Sequence, residues 1–274
     1  MKKKIAVISR THNSSKSIKN SINAAQKLTK EIVIVDSFSS DNTVNVCKKL
    51  GCKVYRRKFN NYSDQRNWII KKINKNYLWQ LHLDSDEILD ELAIQSIKNA
   101  ILSKKKNSYI IKRQDYFLNK KLNFSGLNPW HLRLFRSGTA ICEHRLYDQH
   151  FISNDNAIKI DGFIHDMNNL KLYEWKKKHI KWSKLEAINF YLSDKNKKLL
   201  KGRFGINRRE RTRFYKNLYY HLPIKLRVYI YFIYRLIFKL GILDLKIGLI
   251  FCYYHAFWFR MLVDKEILKI KKKI

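Results

Sequence analysis

The sequence predicts an α/β protein: a parallel sheet flanked by helices, followed by a mostly helical, basic C-terminal region. Three observations predict it. Short apolar, β-branched runs alternate with helix-like segments over the first hundred residues, and strands joined by crossover helices build doubly wound parallel sheets. From Ser108 to about Leu146 the pattern changes to strands and turns, and from Lys171 onward it is mostly helical. The charge is also uneven: residues 168–274 hold 27 basic and 7 acidic residues, against 30 and 15 in residues 1–167. The expected division is a ligand-binding, catalytic domain over 1–167 and a helical basic extension over 168–274.

Taken in order, Ile5–Ser9 is a short apolar run and reads as a buried strand. Asn13, Ser14 and Ser15 offer N-caps for a helix through about Leu28, with Ile18, Ile22 and Ala25 on one face. Glu31–Asp36 is a β-branched second strand. Ser39–Asn42 caps a helix that stops near Leu50 and Gly51, where glycine suits the left-handed terminus. Lys53–Tyr55 is a third strand, Tyr62–Ile73 a helix, Leu78–Asp84 a fourth strand and Asp90–Leu102 a helix. Further strands are expected at Ser108–Lys112, Phe117–Leu122 and His131–Arg136. No internal repeat is visible.

Composition narrows the class. The chain has 274 residues, a net charge of +35, 45% hydrophobic and 14% aromatic residues, which is too apolar for a disordered chain. Eight Gly and two Pro exclude collagen-like and Pro-rich sequences. Cys47, Cys52, Cys142 and Cys252 show no CxxC spacing, which argues against a zinc ribbon or a disulfide scaffold and fits a reducing compartment. Lys2–Lys4 mimic the start of a signal peptide, but only Ile5–Ile8 follow before Ser9 and Arg10, short of the ~7–15 apolar residues a signal core needs. The reading is a cytoplasmic protein.

A basic surface attracts polyanions, chiefly nucleic acid or anionic lipid headgroups, although a Lys- and Asn-rich composition also arises from codon bias. Near the C-terminus, cations interleave with apolar and aromatic stretches, as in Val228–Lys239. That alternation suits interfacial helices on an anionic membrane; core helices are the alternative. No window is expected to cross a bilayer, because Val228–Lys246 carries four charges and Ile247–Phe259 is too short.

Carboxylates sit where the ligand edge of such a sheet lies, at the carboxyl ends of strands. Asp36 ends the second strand, and Asp84 and Asp86 end the fourth. An Asp-x-Asp turn brings two carboxylates within reach of one hard cation, Mg²⁺ or Mn²⁺, which can clamp a diphosphate. There is no GxxxxGK[ST], GxGxxG, HExxH or GxSxG.

Five segments carry a resemblance: Ile5–Asn13, Glu31–Thr43 (EIVIVDSFSSDNT), Asp64–Trp68 (DQRNW), Trp79–Glu87 (WQLHLDSDE) and Arg133–Arg136 (RLFR). Together they resemble GT-A fold, family 2 glycosyltransferases, and most nearly the branch acting in lipopolysaccharide and lipooligosaccharide core assembly. Leu240–Asp244 with Gly248 and Leu249 resembles that branch's membrane-proximal tail. The resemblance implies a nucleotide-diphospho-sugar sheet and an inverting sugar transfer, most simply from a UDP-sugar to a lipid-linked glycan at the inner face of the cytoplasmic membrane. It implies a donor-binding set of Thr11, Asp36, Ser37, Arg66 and Asp84, with Asp36 on the uracil ring and Ser37 where the wider family often has a second Asp. Asp41 resembles the capping residue of that loop, and Asn67 accompanies Arg66. Asp84, Asp86 and His165 are the implied metal ligands. The catalytic base is implied at Asp148 or Glu143, near where a His-Glu pair commonly follows the RLFR strand. Two rivals remain open: a basic nucleic-acid-binding protein, which leaves the strand-end carboxylates unexplained, and a non-catalytic membrane scaffold, which the intact Asp36, Asp84 and Asp86 argue against. The preferred reading has no nucleic-acid partner.

Overall fold

Four of the expected runs form a parallel array: β1 (Lys3–Thr11), β2 (Ile32–Asp36), β3 (Lys53–Arg56) and β4 (Tyr77–Asp84). They belong to a computed structural model that describes residues 2–103, 105–167, 170–192, 202–204 and 208–272. The described chain divides into two units, one of Met1–Asn119, Asn128–Cys142 and His150–Asn169, the other of Lys120–Leu127, Glu143–Gln149 and Leu170–Ile274. Segments 120–127 and 143–149 precede the expected boundary at 167 yet group with the helical unit.

In the first unit the helices α1 (Ile18–Gln26), α2 (Thr43–Lys49), α3 (Tyr62–Ile73) and α4 (Glu91–Ser103) alternate with the strands. The sheet continues through β5 (Glu87–Leu89), β6 (Ser108–Phe117), β8 (Trp130–Arg136) and β11 (Ile158–Asp166) in the order β3-β2-β1-β4-β8-β6-β11-β5; β7 is the two-residue Lys120–Lys121 of the other unit. A separate hairpin pairs β9 (Ala140–Cys142) with β10 (Phe151–Ser153). β8 runs antiparallel to both β4 and β6, so the sheet is mixed rather than wholly parallel. Alternate residues of β1 serve the two faces: Ile5 and Val7 join one core with Ile18, Ile22 and Ile97, while Ala6 and Ile8 join another with Ile69 and Ile73. Burial on both faces explains why β2 reads as an unbroken apolar run.

Several expectations need correction. Phe117–Leu122 is not one strand: β6 ends at Phe117, the left-handed backbone at Leu118 and Asn119 turns the chain, and Lys120–Lys121 returns as β7. β11 buries alternate residues, Ile160, Gly162 and Ile164, with Gly162 at φ +89° inside a shift in register against β6. A Cβ on Gly162 would lie 2.1 Å from the Ala93 amide nitrogen, so α4 can pack there only against glycine. Asn13, Ser14 and Ser15 do not cap α1, which follows Ser17. Instead they lace the loop after β1 to the loop after β2: Ser40 N–H donates to Asn13 Oδ1 (2.9 Å), and Ser15 N–H donates to Asp41 Oδ2 (3.1 Å). The same Asp41 carboxylate accepts the Thr43 hydroxyl and amide; burial would raise its pKa, but these hydrogen bonds, the Thr43 hydroxyl first, hold it far below the ordinary value.

The second unit contains α5 (Leu172–Leu192), α6 (Arg208–His221), α7 (Arg227–Ile233), α8 (Leu245–Cys252) and α9 (Phe259–Lys271), with π-helical turns at Tyr234–Phe238 and Tyr253–Trp258. Ala187, Phe259, Val263 and Ile267 form its core with Tyr147, Trp182 and Phe190 around them. Contrary to the expectation that no window qualifies, the helix Gly241–Lys271 is long and apolar enough to cross a membrane. Two of its charged residues nevertheless pair within the unit: Arg260 with Glu186 (2.8 Å) and Asp264 with Arg227. Such pairs suit a helix packed on its own unit better than one surrounded by lipid.

Candidate active site

The parallel register fixes the first row of the site. Thr11 of β1 lies opposite Asp36 of β2, and Arg10 opposite Asp84 of β4. Thr11, Arg10, Asp36 and Asp84 therefore share the carboxyl edge of three neighbouring strands, the position at which such sheets take ligands. Asp36 has no exposed surface. Its carboxylate accepts the Thr11 hydroxyl (2.9 Å), the Ser39 amide (2.9 Å) and the Ser39 hydroxyl, so it organises the loop that follows β2. Ser37 donates its amide to the Thr11 carbonyl (2.9 Å) and accepts the Gln65 side-chain amide on its hydroxyl (3.0 Å), tying this loop to α3.

Asp84 is the electrostatic centre. Arg10 reaches its Oδ1 at 2.7 Å, Arg66 the same oxygen at 3.1 Å, and Arg133 its Oδ2 at 3.4 Å. Burial acts to raise the Asp84 pKa, but the three guanidinium groups outweigh it and hold the carboxyl well below its ordinary value. Arg133 also reaches Glu87 Oε1 at 2.6 Å, and Glu87 Oε2 accepts the Asp84 amide at 2.8 Å, closing the DSDE turn on itself. Glu87 is pushed the other way, up to about 7, by burial and then by the nearby Asp84 and Asp166, with Arg133 opposing. Two carboxyls three residues apart thus differ in proton affinity because one faces three cations and the other is sealed in the sheet.

The aromatic surroundings place the arginines. Arg10 lies over the Tyr62 ring at 5.1 Å and Arg66 over Phe151 at 5.1 Å, contacts that orient planar guanidinium groups. Asn67 donates to the Cys142 carbonyl (2.8 Å) and accepts the Cys142 amide (2.8 Å), pinning the β9 hairpin to α3. Arg10, Glu87 and Arg133 had no role assigned from the sequence. Arg133 was visible only as part of RLFR, and its meeting with Asp84 depends on the antiparallel placement of β8 beside β4.

Asp86 is half-buried on the turn after β4, and its carbonyl accepts the Met167 amide (3.0 Å). His165 on β11 lies opposite Ile88 of β5. Its Nδ1 is 3.1 Å from the Tyr116 hydroxyl and its Nε2 is 3.7 Å from Asp90. No group of three His, Cys, Asp or Glu side chains able to hold a metal occurs among the described residues. The hard oxygens of Asp84 and Asp86 fit a cation of the Mg²⁺ type, which takes one or two carboxylates and completes its shell with water and substrate phosphates.

Asp148 and Glu143 belong to the second unit. Glu143 is fully buried and pairs with Arg213 (3.1 Å) and Arg145 (3.3 Å). Asp148 has a left-handed backbone, φ +55°, and its side chain is 38% exposed, with Arg213 and Lys216 at 3.2 and 3.0 Å. Of the two, Asp148 is the carboxylate with surface open to solvent.

A sheet of this order is that of the GT-A fold. The model of glycosyl transferase family 2 matches residues 6–163, more than half of the chain, and the chain belongs to that family. It is 30% identical over 156 residues to an uncharacterized glycosyltransferase of Rickettsia bellii, covering 57% of this chain and 50% of the relative. It is 30% identical over 108 residues to one of Rickettsia prowazekii, covering 39% and 36%. The chain thus spans between about a third and a half of the length of these relatives. Among solved structures, the mannosyltransferase PcManGT of Pyrobaculum calidifontis, in complex with GDP-Man and Mn²⁺, aligns with a TM-score of 0.52 at 12% identity over 100% of this chain and 87% of that one. S. aureus TarS 1-349 aligns with a TM-score of 0.48 at 14% identity, covering 99% and 92%.

Proposed function

We propose that this chain transfers a sugar, with inversion, from a nucleotide-sugar donor to a lipid-linked glycan such as a lipopolysaccharide core, at the inner face of the cytoplasmic membrane. The observation that supports it most is the row of Thr11, Asp36, Arg10 and Asp84 along one strand edge, with three arginines converging on Asp84. The loops held by Asp36 and Ser37 would receive the nucleoside, UDP being the nucleotide the Asp36 assignment favours. Arg10, Arg66 and Arg133 would neutralise the diphosphate, and Asp84 and Asp86 would hold Mg²⁺ or Mn²⁺, with His165 as the third ligand the family resemblance implies. A bound divalent cation supplies charge stabilisation to the departing nucleoside diphosphate. Asp148 is assigned the base that takes the acceptor hydroxyl proton, a step that needs a carboxylate accessible to substrate; Glu143 is the alternative. The donor class and metal follow those named for the family's structural neighbours, which hold GDP-Man with Mn²⁺ and, in another TarS structure, UDP-GlcNAc.

Titration calorimetry of UDP with and without Mn²⁺ tests the donor site. Binding is expected for the native chain and loss of its metal dependence for Asp86→Ala. Equal metal-dependent binding by that variant would remove the cation assignment. Binding of RNA or DNA in place of UDP would overturn the enzyme reading itself.

A further inference from the structure

In the second unit the chain between α7 and α8 turns sharply and presents apolar side chains to water. Ile237, Phe238, Leu240, Ile242, Leu243 and Leu245 are each about half exposed or more, with Phe238 at 73% and Leu245 at 76%. Connecting segments are usually polar, and a contiguous exposed apolar patch marks an interaction surface.

The turn is held in this form by specific devices. Leu240 (φ +56°) and Leu245 (φ +54°) both occupy backbone regions that bulky side chains disfavour. Such strain persists only where the surroundings impose it. Two of the chain's eight glycines allow the close packing beneath. A Cβ on Gly241 would lie 2.7 Å from the Arg235 carbonyl oxygen and from Cys252 Sγ, and one on Gly248 would lie 2.1 Å from the Gly241 carbonyl oxygen. Asp244 completes the anchor. Its carboxylate accepts the amides of Asn123 (3.0 Å), Phe124 (3.0 Å) and Ser125 (2.7 Å) and the Ser125 hydroxyl (2.6 Å). The buried Arg235 donates to the Ser125 carbonyl from the other side.

The charge pattern says what covers this surface. Asp244 is the one acidic residue between Leu226 and Val263, and its carboxylate is turned inward onto those donors. Arg227 and Arg235 are buried within the unit. The cations left exposed on the turn are Lys239, between Phe238 and Leu240, and Lys246, directly after Leu245. An apolar tip with a cationic collar and no outward negative charge is complementary to an anionic lipid leaflet, with hydrocarbon below and phosphate at the rim.

We infer that residues 237–246 form a preorganised membrane wedge, with Phe238, Leu240, Leu243 and Leu245 entering the acyl boundary of an anionic leaflet and Lys239 and Lys246 meeting its headgroups. This deepens the membrane part of the proposed function and rests on it.

Flotation of the full chain with vesicles of 30% phosphatidylglycerol in phosphatidylethanolamine, and with neutral phosphatidylcholine vesicles, tests the inference. The native chain is expected to float with the anionic vesicles. Phe238→Ser combined with Leu243→Ser, substitutions that leave both strained positions and the Asp244 anchor intact, should reduce partitioning at least about tenfold. Lys239→Gln and Lys246→Gln should each reduce it about fivefold on anionic vesicles and leave the neutral ones unaffected. UDP affinity should be unchanged in all of them, which also reports that the variants are folded. Native-like flotation of the Ser variant, or no flotation of the native chain, overturns the inference. So does a native dimer that the Ser variant dissociates without any change in flotation, since the patch would then join two copies. A chain that floats as expected but binds no nucleotide refutes the donor reading and leaves the wedge standing.

Discussion

Replacing Glu186 with Gln should destabilise the helical unit by about 3 kcal/mol at neutral pH. Glu186 is almost fully buried, and one of its oxygens, Oε1, gathers Lys216 (2.7 Å), Arg260 (2.8 Å) and the Tyr220 hydroxyl (2.8 Å). Burial alone would raise its pKa; Arg260 and then Lys216 overcome that and bring the carboxyl down from 4.5 to about 2. A carboxyl depressed that far stabilises the folded state by about 3 kcal/mol at any pH above its unfolded value. The contribution is complete above about pH 4.5 and declines as pH falls toward 2. The assay is urea denaturation followed by tryptophan fluorescence, to which Trp175, Trp182 and Trp258 of this unit contribute. The native-minus-variant difference should be constant from pH 8 to 5 and shrink by about 1.4 kcal/mol per pH unit below pH 4.5. A difference under about 1 kcal/mol at pH 7, or one that does not shrink in acid, refutes the assignment, because breaking one member of a buried ion cluster costs about 3–5 kcal/mol.

Two further outcomes are expected. Gly162→Ala should lower stability by about 2 kcal/mol or more, read as a fall in Tm, because its Cβ would meet Ala93 backbone at 2.1 Å on a left-handed residue; an unchanged Tm would show that α4 can shift away. Asp148→Asn should leave UDP affinity intact and lower transfer at least about 100-fold; full turnover would move the base to Glu143.

The elements legible in the sequence were those whose signal is local. Tyr62–Ile73 was read to the residue because Asn61 caps it, with its side chain accepting the Asp64 amide. β2 was legible as an unbroken β-branched run ending at Asp36. β11 was not assigned, although Ile158, Ile160 and Ile164 alternate along it; at Gly162 the buried face carries no side chain, and α4 packs there instead. The site divides in the same way. Asp36, Asp84 and Asp86 were visible as strand-end carboxylates. Arg10 and Arg133 were not, since an arginine inside a strand has no sequence signature, and both reach Asp84 through long-range strand pairing. The turn at 237–246 was read only as part of a basic, apolar stretch suited to an anionic membrane. Its form depends on Asp244 reaching residues 123–125, more than a hundred positions away.

The opposed proton affinities at the DSDE turn bear on the proposal that one edge takes both an anion and a cation. Asp84 stays ionised at every physiological pH because Arg66, Arg133 and Arg10 hold it so, and it keeps hard anionic oxygens at the strand end. Glu87, raised to about 7, is only partly ionised at neutral pH. Around Asp84 and Glu87, three guanidinium groups thus meet two carboxyls of which one is only partly ionised, a local balance that suits the proposed diphosphate. A fully ionised Glu87 would shift that balance toward negative charge. Glu87 is buried within the sheet, where Arg133 reaches its Oε1. On the proposed donor reading, the charge that would meet a nucleoside diphosphate depends on where the strand pairing puts this glutamate as much as on the arginines themselves.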